Sequence, residues 1–457
     1  MYPLQWHFEA IRVPEAWTVT RGEDVVVAVI DTGVAYKDLD HKGVKVRAVP
    51  DLAGIEFVDG ETFVDKGVPD GLDDHAHGTH VAGTIAQATD NGVGVAGVAH
   101  KAKIMPLKVL GSSGGGSVPG IASAIRYAAD HGAHVINMSL GGPLPSRVMA
   151  KAVAYAHDKG TTVICAAGNE SRSRVSYPAA YDGSVAVAAT DFSGGRSFYS
   201  NWGKALDVSA PGGDTRADKN GDGHPDGVLQ NTIKIQRPDQ NDYLWFQGTS
   251  MASPHVAGVA ALIASQGVTN PDEVERILKE TAKHPNEVKW DKDFGAGIVD
   301  AHDAVVAARG ATYQHERGLL ALLAAGLLAV AGLGRGVAAR SVLGASLVTC
   351  TVAGAAGVAA PYALSGLFGM SGPWLLLSLS FLVPGLLALT LLQRPGLRSL
   401  LVGLSAGWAV VSLHGALALP TVLTTLPGGA AWDRLALLGN AAVCGWLAAR
   451  ILRARRR

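Results

Sequence analysis

Three polar residues, each in a segment of small or apolar residues, have the types that nucleophilic catalysis needs. Asp31 ends an apolar run, His77 opens the segment His77–Thr84, and Ser250 lies within Gly248–Gly258. A carboxylate can hold and stabilise an imidazolium, and a neutral imidazole can take the proton of a serine hydroxyl. The three residues together indicate acyl transfer through a covalent serine intermediate, which is chemistry that cleaves peptide bonds.

Each of the three residues has a plainer interpretation when it is taken alone. Asp31 could cap a helix or bind a metal, and Ser250 could be the N-cap residue of the helix that follows it. His75, His77 and His80 could form a zinc cluster, although no cysteine or fourth ligand accompanies them. Only the catalytic interpretation accounts for all the segments at once, so we favour it.

The sequence around these residues predicts an α/β domain with a doubly wound, mostly parallel sheet. Apolar strands are predicted at 24–31, 102–109, 135–139 and 162–167, and helices at 81–87, 120–131, 148–159, 256–264 and 272–281. Continuous apolar strands that alternate with helices are typical of a parallel sheet covered on both faces. Active sites of such sheets gather at the carboxyl ends of the strands, where Asp31 is predicted to lie.

The three segments together resemble the signature segments of the subtilisin-like serine proteases, the subtilase family. They are Asp-Thr-Gly from Asp31, His-Gly-Thr-His-Val-Ala-Gly from His77, and Gly-Thr-Ser-Met-Ala-Ser-Pro-His-Val-Ala-Gly from Gly248. The resemblance covers roughly residues 3–309. It implies a subtilisin-like peptidase domain over residues 1–311 and a serine endopeptidase that acts on polypeptide substrates.

The resemblance also assigns residues around the triad. Asn169 would donate its side-chain amide to the oxyanion, beside the backbone N–H of Ser250. The substrate-binding residues would be Ser139, Leu140, Gly141 and Gly142 in the S1 wall, Gly115 and Gly116 at the edge that pairs with substrate, and Ala167 and Gly168 in the oxyanion segment. Tyr177-Pro178 resembles the floor of the S1 pocket, where Ser176 replaces the usual glycine.

A polar loop has the ligand spacing of a structural calcium site. Oxygen donors recur at every second position around a glycine turn, and the predicted ligands are Asp218, Asn220, Asp222, His224 and Asp226. Leu229 stands where an EF-hand has its bidentate glutamate, so a plain polar loop is the alternative. The family likeness alone suggests a second calcium site at Asp38 and Asn91, but Tyr2 occupies the neighbourhood of the expected N-terminal glutamine ligand.

Charge is distributed unequally along the chain. The 457 residues contain 39 Lys and Arg and 39 Asp and Glu. Residues 318–457 nevertheless have ten Arg, no Lys and one acidic residue, Asp433, so this part carries +9 and residues 1–317 carry −9. No basic patch with interleaved aromatic residues is present in the sequence, which argues against nucleic acid as a partner.

The C-terminal part predicts a membrane domain at 318–457, after a short linker at 312–317. Five transmembrane helices are predicted, at 318–335, 341–363, 373–392, 399–419 and 433–452. Basic residues lie at one set of their ends: Arg335, Arg340, Arg394, Arg398, Arg453, Arg455, Arg456 and Arg457. The loops at 364–372 and 420–432 contain no basic residue.

This Arg pattern predicts a multi-pass cell-membrane protein with the lipid bilayer as a partner. Cytoplasmic loops carry the excess of Lys and Arg, so the C-terminus would be cytoplasmic and the protease domain extracytoplasmic. A buried all-α core of a soluble protein is the alternative.

Two further functions fit parts of the pattern. One is a catalytically idle peptide-binding domain, against which the intact triad and Asn169 argue. The other is a membrane transport protein with an accessory protease domain. Away from the ends of the predicted spans, His414 is the sole Asp, Glu, Lys, Arg or His residue, whereas ion or proton relays normally need more. Cys165, Cys350 and Cys444 lie far apart in apolar segments and indicate no disulfide.

Overall fold

The computed structural model describes residues 1–64, 67–311, 401–407, 409 and 430–453. The chain divides into two compact units, Met1–Arg309 and Gly310–Arg457. The first unit contains all three predicted catalytic residues.

Eleven strands are described in the first unit. They are β1 Val26–Asp31, β2 Leu39–His41, β3 Val44–Val46, β4 Glu61–Thr62, β5 Lys103–Lys108, β6 Val135–Met138, β7 Thr162–Ala166, β8 Ser184–Thr190, β9 Val208–Pro211, β10 Val228–Lys234 and β11 Arg237–Phe246. Seven form a parallel sheet in the order β4-β5-β1-β6-β7-β8-β9. The pairs β2–β3 and β10–β11 are antiparallel.

The strand order places the end of β1 at the point where the sheet reverses direction. From β1 the chain reaches β4 at the edge of the sheet, returns to β5 beside β1, and then crosses to β6 on the other side of β1. A crevice opens at the carboxyl ends of strands at such a switch point. Asp31 is the last residue of β1 and therefore lies at this crevice.

Eight α-helices begin in the described part of the same unit, besides two short 3-10 helices at Tyr2–Leu4 and Pro50–Leu52. The α-helices are α1 Trp6–Ala10, α2 Val13–Ala16, α3 His77–Ala86, α4 Val118–Asp130, α5 Arg147–Asp158, α6 Thr249–Ala264, α7 Pro271–Thr281 and α8 at 301–311. Ser117, Ser146 and Asn270 cap α4, α5 and α7, because each side chain accepts a backbone N–H of the first turn.

Helices cover both faces of the sheet. Ala28 and Ile30 of β1 pack in one apolar cluster with residues of α4 and α5. The intervening Val27 and Val29 point to the opposite face and are also fully buried, and there α3 and α6 pack against each other and against β1. This two-sided burial explains why the strands of the sheet are apolar at nearly every position.

The predicted α/β fold with a mostly parallel sheet is confirmed. The predicted strands coincide with β1, β5, β6 and β7, and α3, α4, α5 and α7 lie where helices were expected. Helix α6 begins at Thr249, seven residues before the predicted start, and contains Pro254. Strands β2, β3 and β4 and strands β8 to β11 were not predicted from the sequence.

The described residues of the second unit are helical at 401–407 and Ala430–Arg453. Within the described part of the chain, no helix is both long and apolar enough to cross a membrane. The linker at 312–317 and the predicted spans at 318–335, 341–363 and 373–392 lie outside the described residues. The described residues thus give the predicted membrane domain no support.

Candidate active site

A short hydrogen bond joins two of the predicted catalytic residues. Asp31 is fully buried, and its Oδ1 lies 2.7 Å from Nδ1 of His77, the first residue of α3. The same oxygen accepts the backbone N–H of Thr32 at 2.7 Å. Because a carboxylate can only accept, neutral His77 carries its proton on Nδ1 and presents Nε2 as the basic nitrogen.

Two opposing influences set the pKa of His77. Burial disfavours the imidazolium and lowers the pKa, but the negative charge of Asp31 and its hydrogen bond outweigh burial. The pKa of His77 is therefore raised above its ordinary value. The side chain keeps 22% of its surface exposed, so the ring can meet a substrate from the cleft.

The start of α3 is held by a buried carboxylate that the sequence analysis missed. Asp73 accepts the backbone N–H groups of His75, Ala76 and Thr79 and the hydroxyl of Thr79. Ala76 has φ 117°, a left-handed conformation that costs free energy in a residue with a Cβ. Its carbonyl also accepts the Thr232 hydroxyl at 2.6 Å, and together these contacts stabilise the strained residue before His77.

A buried lysine joins the ends of two strands beside Asp31. Lys108, the last residue of β5, is fully buried, and its Nζ donates to the carbonyl of Thr32 at 2.6 Å and to Asp74 at 2.7 Å. The Thr32 hydroxyl accepts the backbone N–H of Gly78 at 2.8 Å. The end of β1 is thus bonded both to β5 and to the first turn of α3. A lysine that ends an apolar strand was the sequence signal for this role.

Ser250, the second residue of α6, lies against the end of β6. Its hydroxyl donates to the carbonyl of Ser139 at 3.2 Å, and the Ser139 hydroxyl donates to the Ser250 carbonyl at 2.8 Å. Pro254 leaves that carbonyl without its helical donor, because proline has no N–H. Strand β6 pairs with β1, so Ser250 is held at the same edge of the sheet as Asp31.

The described residues show no hydrogen bond between Ser250 and His77. The serine hydroxyl must turn away from the Ser139 carbonyl before it can give its proton to the imidazole. Such catalytic hydrogen bonds often form only when substrate is bound.

Two N–H donors flank a space beside Ser250. The Oδ1 of Asn169 accepts the backbone N–H and the hydroxyl of Thr249, at 2.8 and 2.9 Å, which leaves Nδ2 as the available donor. Both Nδ2 of Asn169 and the backbone nitrogen of Ser250 lie 3.6 Å from the point where a Cβ on Gly248 would be. With φ 147°, position 248 requires glycine. Two N–H donors are the groups that an oxyanion site requires.

A second asparagine, also missed in the sequence analysis, holds the loop that carries Asn169. The Oδ1 of buried Asn201 accepts the backbone N–H groups of Glu170 and Arg172, at 3.1 and 3.0 Å. Its Nδ2 donates to the Glu170 carboxylate at 2.6 Å. No motif marks Asn201 in the sequence, because its partners lie about 30 positions away.

The predicted S1 residues are joined through the segment 175–178. Gly142 and Tyr177 exchange two backbone hydrogen bonds of 2.8 and 2.9 Å, and Ser176 donates its N–H to the carbonyl of Ala167. Gly168 has φ 108°, and a Cβ there would lie 2.3 Å from Nδ2 of Asn201, so only glycine fits. Leu140 packs half-buried against the core cluster, beside Gly141.

The predicted substrate edge is an exposed turn between β5 and α4. Gly111 and Gly115 are joined by a backbone hydrogen bond of 2.9 Å, and Gly116 pairs with Leu110. A Cβ on Gly115 would meet only Ser113, at 3.9 Å, so the outer side of this turn is open. An extended peptide can therefore approach the backbone here.

The predicted calcium ligands bond mainly to their own loop. Asp218 accepts the N–H groups of Gly221, Asp222 and Gly223, Asn220 that of Asp222, Asp222 that of His224, and Asp226 that of Lys219. Asp226 is buried, and its Oδ1 has no partner among the described residues. The ring of His224 stacks on Trp245, with 5.2 Å between ring centroids.

These donors fit calcium in type but are not gathered around one point. The carboxylates of Asp218, Asp222 and Asp226 do not bring three ligand atoms within 4.8 Å of one another. In the described residues only Asp300, His302 and Asp303 do so, and there the guanidinium of Arg12 bonds both carboxylates, at 2.9 and 3.1 Å. The oxygen donors and the unpartnered Asp226 oxygen remain suited to a hard cation.

The second predicted calcium site is not assembled by any described contact. Asp38 accepts the N–H of Ala48, and Asn91 accepts the N–H of Val93. The loop that carries Asn91 is instead held by Asp51, whose fully buried carboxylate accepts the Val95 N–H at 2.9 Å and the Tyr243 hydroxyl at 3.0 Å. Burial of Tyr243 and its bond to Asp51 raise the pKa of the phenol to about 12.

Known proteins resemble this chain over the first unit. Residues 22–297 match the subtilase family. Thermitase of Thermoactinomyces vulgaris is 37% identical over 309 residues, which are 68% of this chain and 96% of that protein. Subtilisin Savinase of Lederbergia lenta is 37% identical over 307 residues, 66% of this chain and 98% of its own length.

Solved structures agree with the sequence comparison. A protease of Pseudoalteromonas arctica has a TM-score of 0.60 at 37% identity, over 67% of this chain and 98% of that one. Fervidolysin of Fervidobacterium pennivorans, a keratinolytic enzyme related to subtilisin, has a TM-score of 0.54 at 33% identity, over 66% of this chain and 45% of that one.

Proposed function

The chain belongs to the subtilase family and is a subtilisin-type serine endopeptidase, and from this premise we propose that Asp31, His77 and Ser250 are its catalytic triad. Asn169 and the backbone N–H of Ser250 form the oxyanion site in this proposal. The observation that supports it most directly is the 2.7 Å bond between buried Asp31 and His77, which leaves Nε2 of the imidazole as a base at the cleft.

The reaction proceeds by acyl transfer in two halves. Nε2 of His77 takes the Ser250 proton as Oγ attacks the peptide carbonyl, and the oxyanion that forms is bonded by Asn169 Nδ2 and the Ser250 N–H. The imidazolium, stabilised by Asp31, then protonates the leaving amine and releases an acyl-enzyme. Water, deprotonated by His77, hydrolyses that ester by the same steps.

A fluorophosphonate probe tests the proposal and separates it from an idle peptide-binding domain. The parent chain should be labelled at Ser250 and should cleave an unfolded protein substrate, whereas Ser250→Ala should do neither. Ser193→Ala, a substitution at an exposed serine of the same domain, is the matched control and should behave like the parent. Labelling that persists in Ser250→Ala would assign the nucleophile elsewhere.

Calcium at the loop of Asp218–Asp226 is a second part of the proposal. It is supported by the spacing of oxygen donors and by the buried Asp226 Oδ1 without a partner. Asp218, Asn220, Asp222 and Asp226 would hold the ion, and His224 could contribute only its carbonyl, since its ring stacks on Trp245. A bound ion would stabilise the loop and takes no part in the chemistry.

An extracytoplasmic location of the protease domain is the third part of the proposal, and the Arg distribution of residues 318–457 is its sole support. A Ser193→Cys variant offers an exposed thiol for a membrane-impermeant maleimide. Labelling of intact cells would agree with this location. Labelling that occurs only after the cells are permeabilised would contradict it.

A further inference from the structure

An open cavity of about 530 Å³ lies beside the predicted S1 wall. Its lining comes from the segments 173–175 and 202–205, together with Tyr177, Ala180 and Lys292. Backbone hydrogen bonds of 2.9 Å join Trp202 to Arg172 and Gly203 to Lys292. A Cβ on Gly203 would lie 3.3 Å from the Ser173 carbonyl, so the two segments approach closely because residue 203 is glycine.

The charged groups of this cavity all have the same sign. Arg174, Lys204 and Lys292 are exposed, and no carboxylate in the described part of the chain lies within ion-pair distance of any of them. The neighbouring Arg196 differs, because it pairs with Asp293 at 3.1 Å and lies over the Trp202 ring. Three cations without ionic partners at one cavity stand out in a part of the chain that carries −9 overall.

Two aromatic rings complete the lining. Tyr177 and Trp202 are half-buried, and the Arg174 guanidinium lies 5.8 Å from the centre of the Tyr177 ring. Rings held this way offer apolar contact to the stem of a bound side chain, while the cations face its charged end. A small inorganic anion would bind to the cations but would make no contact with the two aromatic rings.

One residue links the cavity to the predicted S1 wall. Tyr177 lines the cavity, and its backbone N–H and carbonyl are bonded to Gly142 of the predicted S1 wall. A polypeptide long enough to reach from the cleft to this cavity would therefore present its residues at high effective concentration to Arg174, Lys204 and Lys292.

We propose that this cavity is an exosite for an acidic stretch of the polypeptide substrate, with glutamate or aspartate carboxylates at Arg174, Lys204 and Lys292 and their stems on Tyr177 and Trp202. The inference rests on the proposed protease function and narrows its substrate class. It predicts faster cleavage of peptides that carry acidic residues outside the cleaved segment.

Binding can be measured without catalysis. The Ser250→Ala chain should bind a fluorescent hexaglutamate peptide, and the triple variant Arg174→Gln, Lys204→Gln, Lys292→Gln should bind it about tenfold more weakly, since each exposed charge pair contributes a small factor. Arg21→Gln, Lys42→Gln, Lys45→Gln removes the same charge at exposed residues elsewhere and should bind like the unaltered chain. Equal binding by both triple variants would overturn the exosite.

Kinetics of the chain with an intact Ser250 provide the second readout. The substrates are two peptides with the same cleaved segment, and only one of them carries an additional tail of glutamates. The parent should show a kcat/KM about tenfold higher for the acidic peptide, and the cavity triple variant should reduce this ratio to near one. A ratio near one in the parent contradicts the exosite alone, whereas failure to react with the fluorophosphonate contradicts the protease mechanism. Binding of phosphate or a sulfated glycan without hexaglutamate binding would identify another class of ligand and reject the peptide.

Discussion

Two groups of carboxylates in the protease domain are held in opposite ways. Asp31 and Asp74 are buried or nearly so, and their partners His77 and Lys108 lie 46 and 34 positions away in the sequence. The acidic loop 218–226 is largely exposed, and its Asp218 accepts N–H groups only three to five positions further on. Asp31 and Asp74 thus depend on segments that are distant in the sequence, whereas the loop 218–226 can form most of its hydrogen bonds within itself.

Of the substitutions that test this difference, Asp31→Asn should have the largest effect. Asp31→Asn removes the charge that stabilises the imidazolium and disturbs the tautomer of His77, so kcat should fall about 10⁴-fold, as for this substitution in other triads. Because Asp31 is what raises the pKa of His77, the acid limb of the kcat/KM profile should also move to lower pH. Activity requires neutral His77. In the parent and in Asp31→Asn alike, kcat/KM therefore rises as the pH increases through the pKa of His77.

The matched control is the same chemical change in the exposed loop. Asp222→Asn, assayed with saturating calcium, should keep kcat within about twofold of the parent and should leave the acid limb where it is, since exposed substitutions away from the site rarely matter. An acid limb that does not move in Asp31→Asn would mean that another group sets the pKa of the base.

A second prediction concerns the buried pair beside the triad. Lys108→Met leaves Asp74, with 9% of its side chain exposed, without its ammonium partner, and should lower the free energy of unfolding by about 3–5 kcal/mol. Urea unfolding of Lys108→Met with Asp74→Asn should recover more than half of that loss, because the uncompensated charge is gone. If the double variant is no more stable than Lys108→Met, the loss of stability comes from the missing hydrogen bond to the Thr32 carbonyl and not from the unpaired charge of Asp74.

The features that were predicted best from the sequence are those encoded by contiguous residues. The segments around Asp31, His77 and Ser250 and the apolar runs of β1, β5, β6 and β7 could be found because each pattern lies within a dozen positions. Asn201, Lys108 and Asp51 were not predicted, since their function is defined by groups between 29 and 192 positions away. The second calcium site, at Asp38 and Asn91, was assigned from likeness to the family and stays a prediction, while the loop that carries Asn91 is bonded by Asp51.

A third prediction uses Asp226 Oδ1, the buried oxygen of the acidic loop that has no partner among the described residues, and the sign of the effect depends on calcium. In excess chelator, Asp226→Asn should unfold at the same or slightly higher urea concentration, because an amide replaces a buried carboxylate oxygen that lacks a partner. In calcium at about 100 times its Kd, the parent should gain about 2.7 kcal/mol and the variant much less. Calorimetry with calcium measures the binding directly, and a parent chain that binds none rules out the site.

The smallest effect is expected at Asp218 when no ion is present. Its carboxylate accepts the N–H groups of Gly221, Asp222 and Gly223, but all of these groups lie at the exposed surface, where water replaces a lost partner. In excess chelator, Asp218→Asn should therefore change the free energy of unfolding by less than about 0.5 kcal/mol, the usual range for surface substitutions. A loss of several kcal/mol in urea unfolding would show that this loop stabilises the domain without an ion, and the contrast with Asp31 and Asp74 would fail.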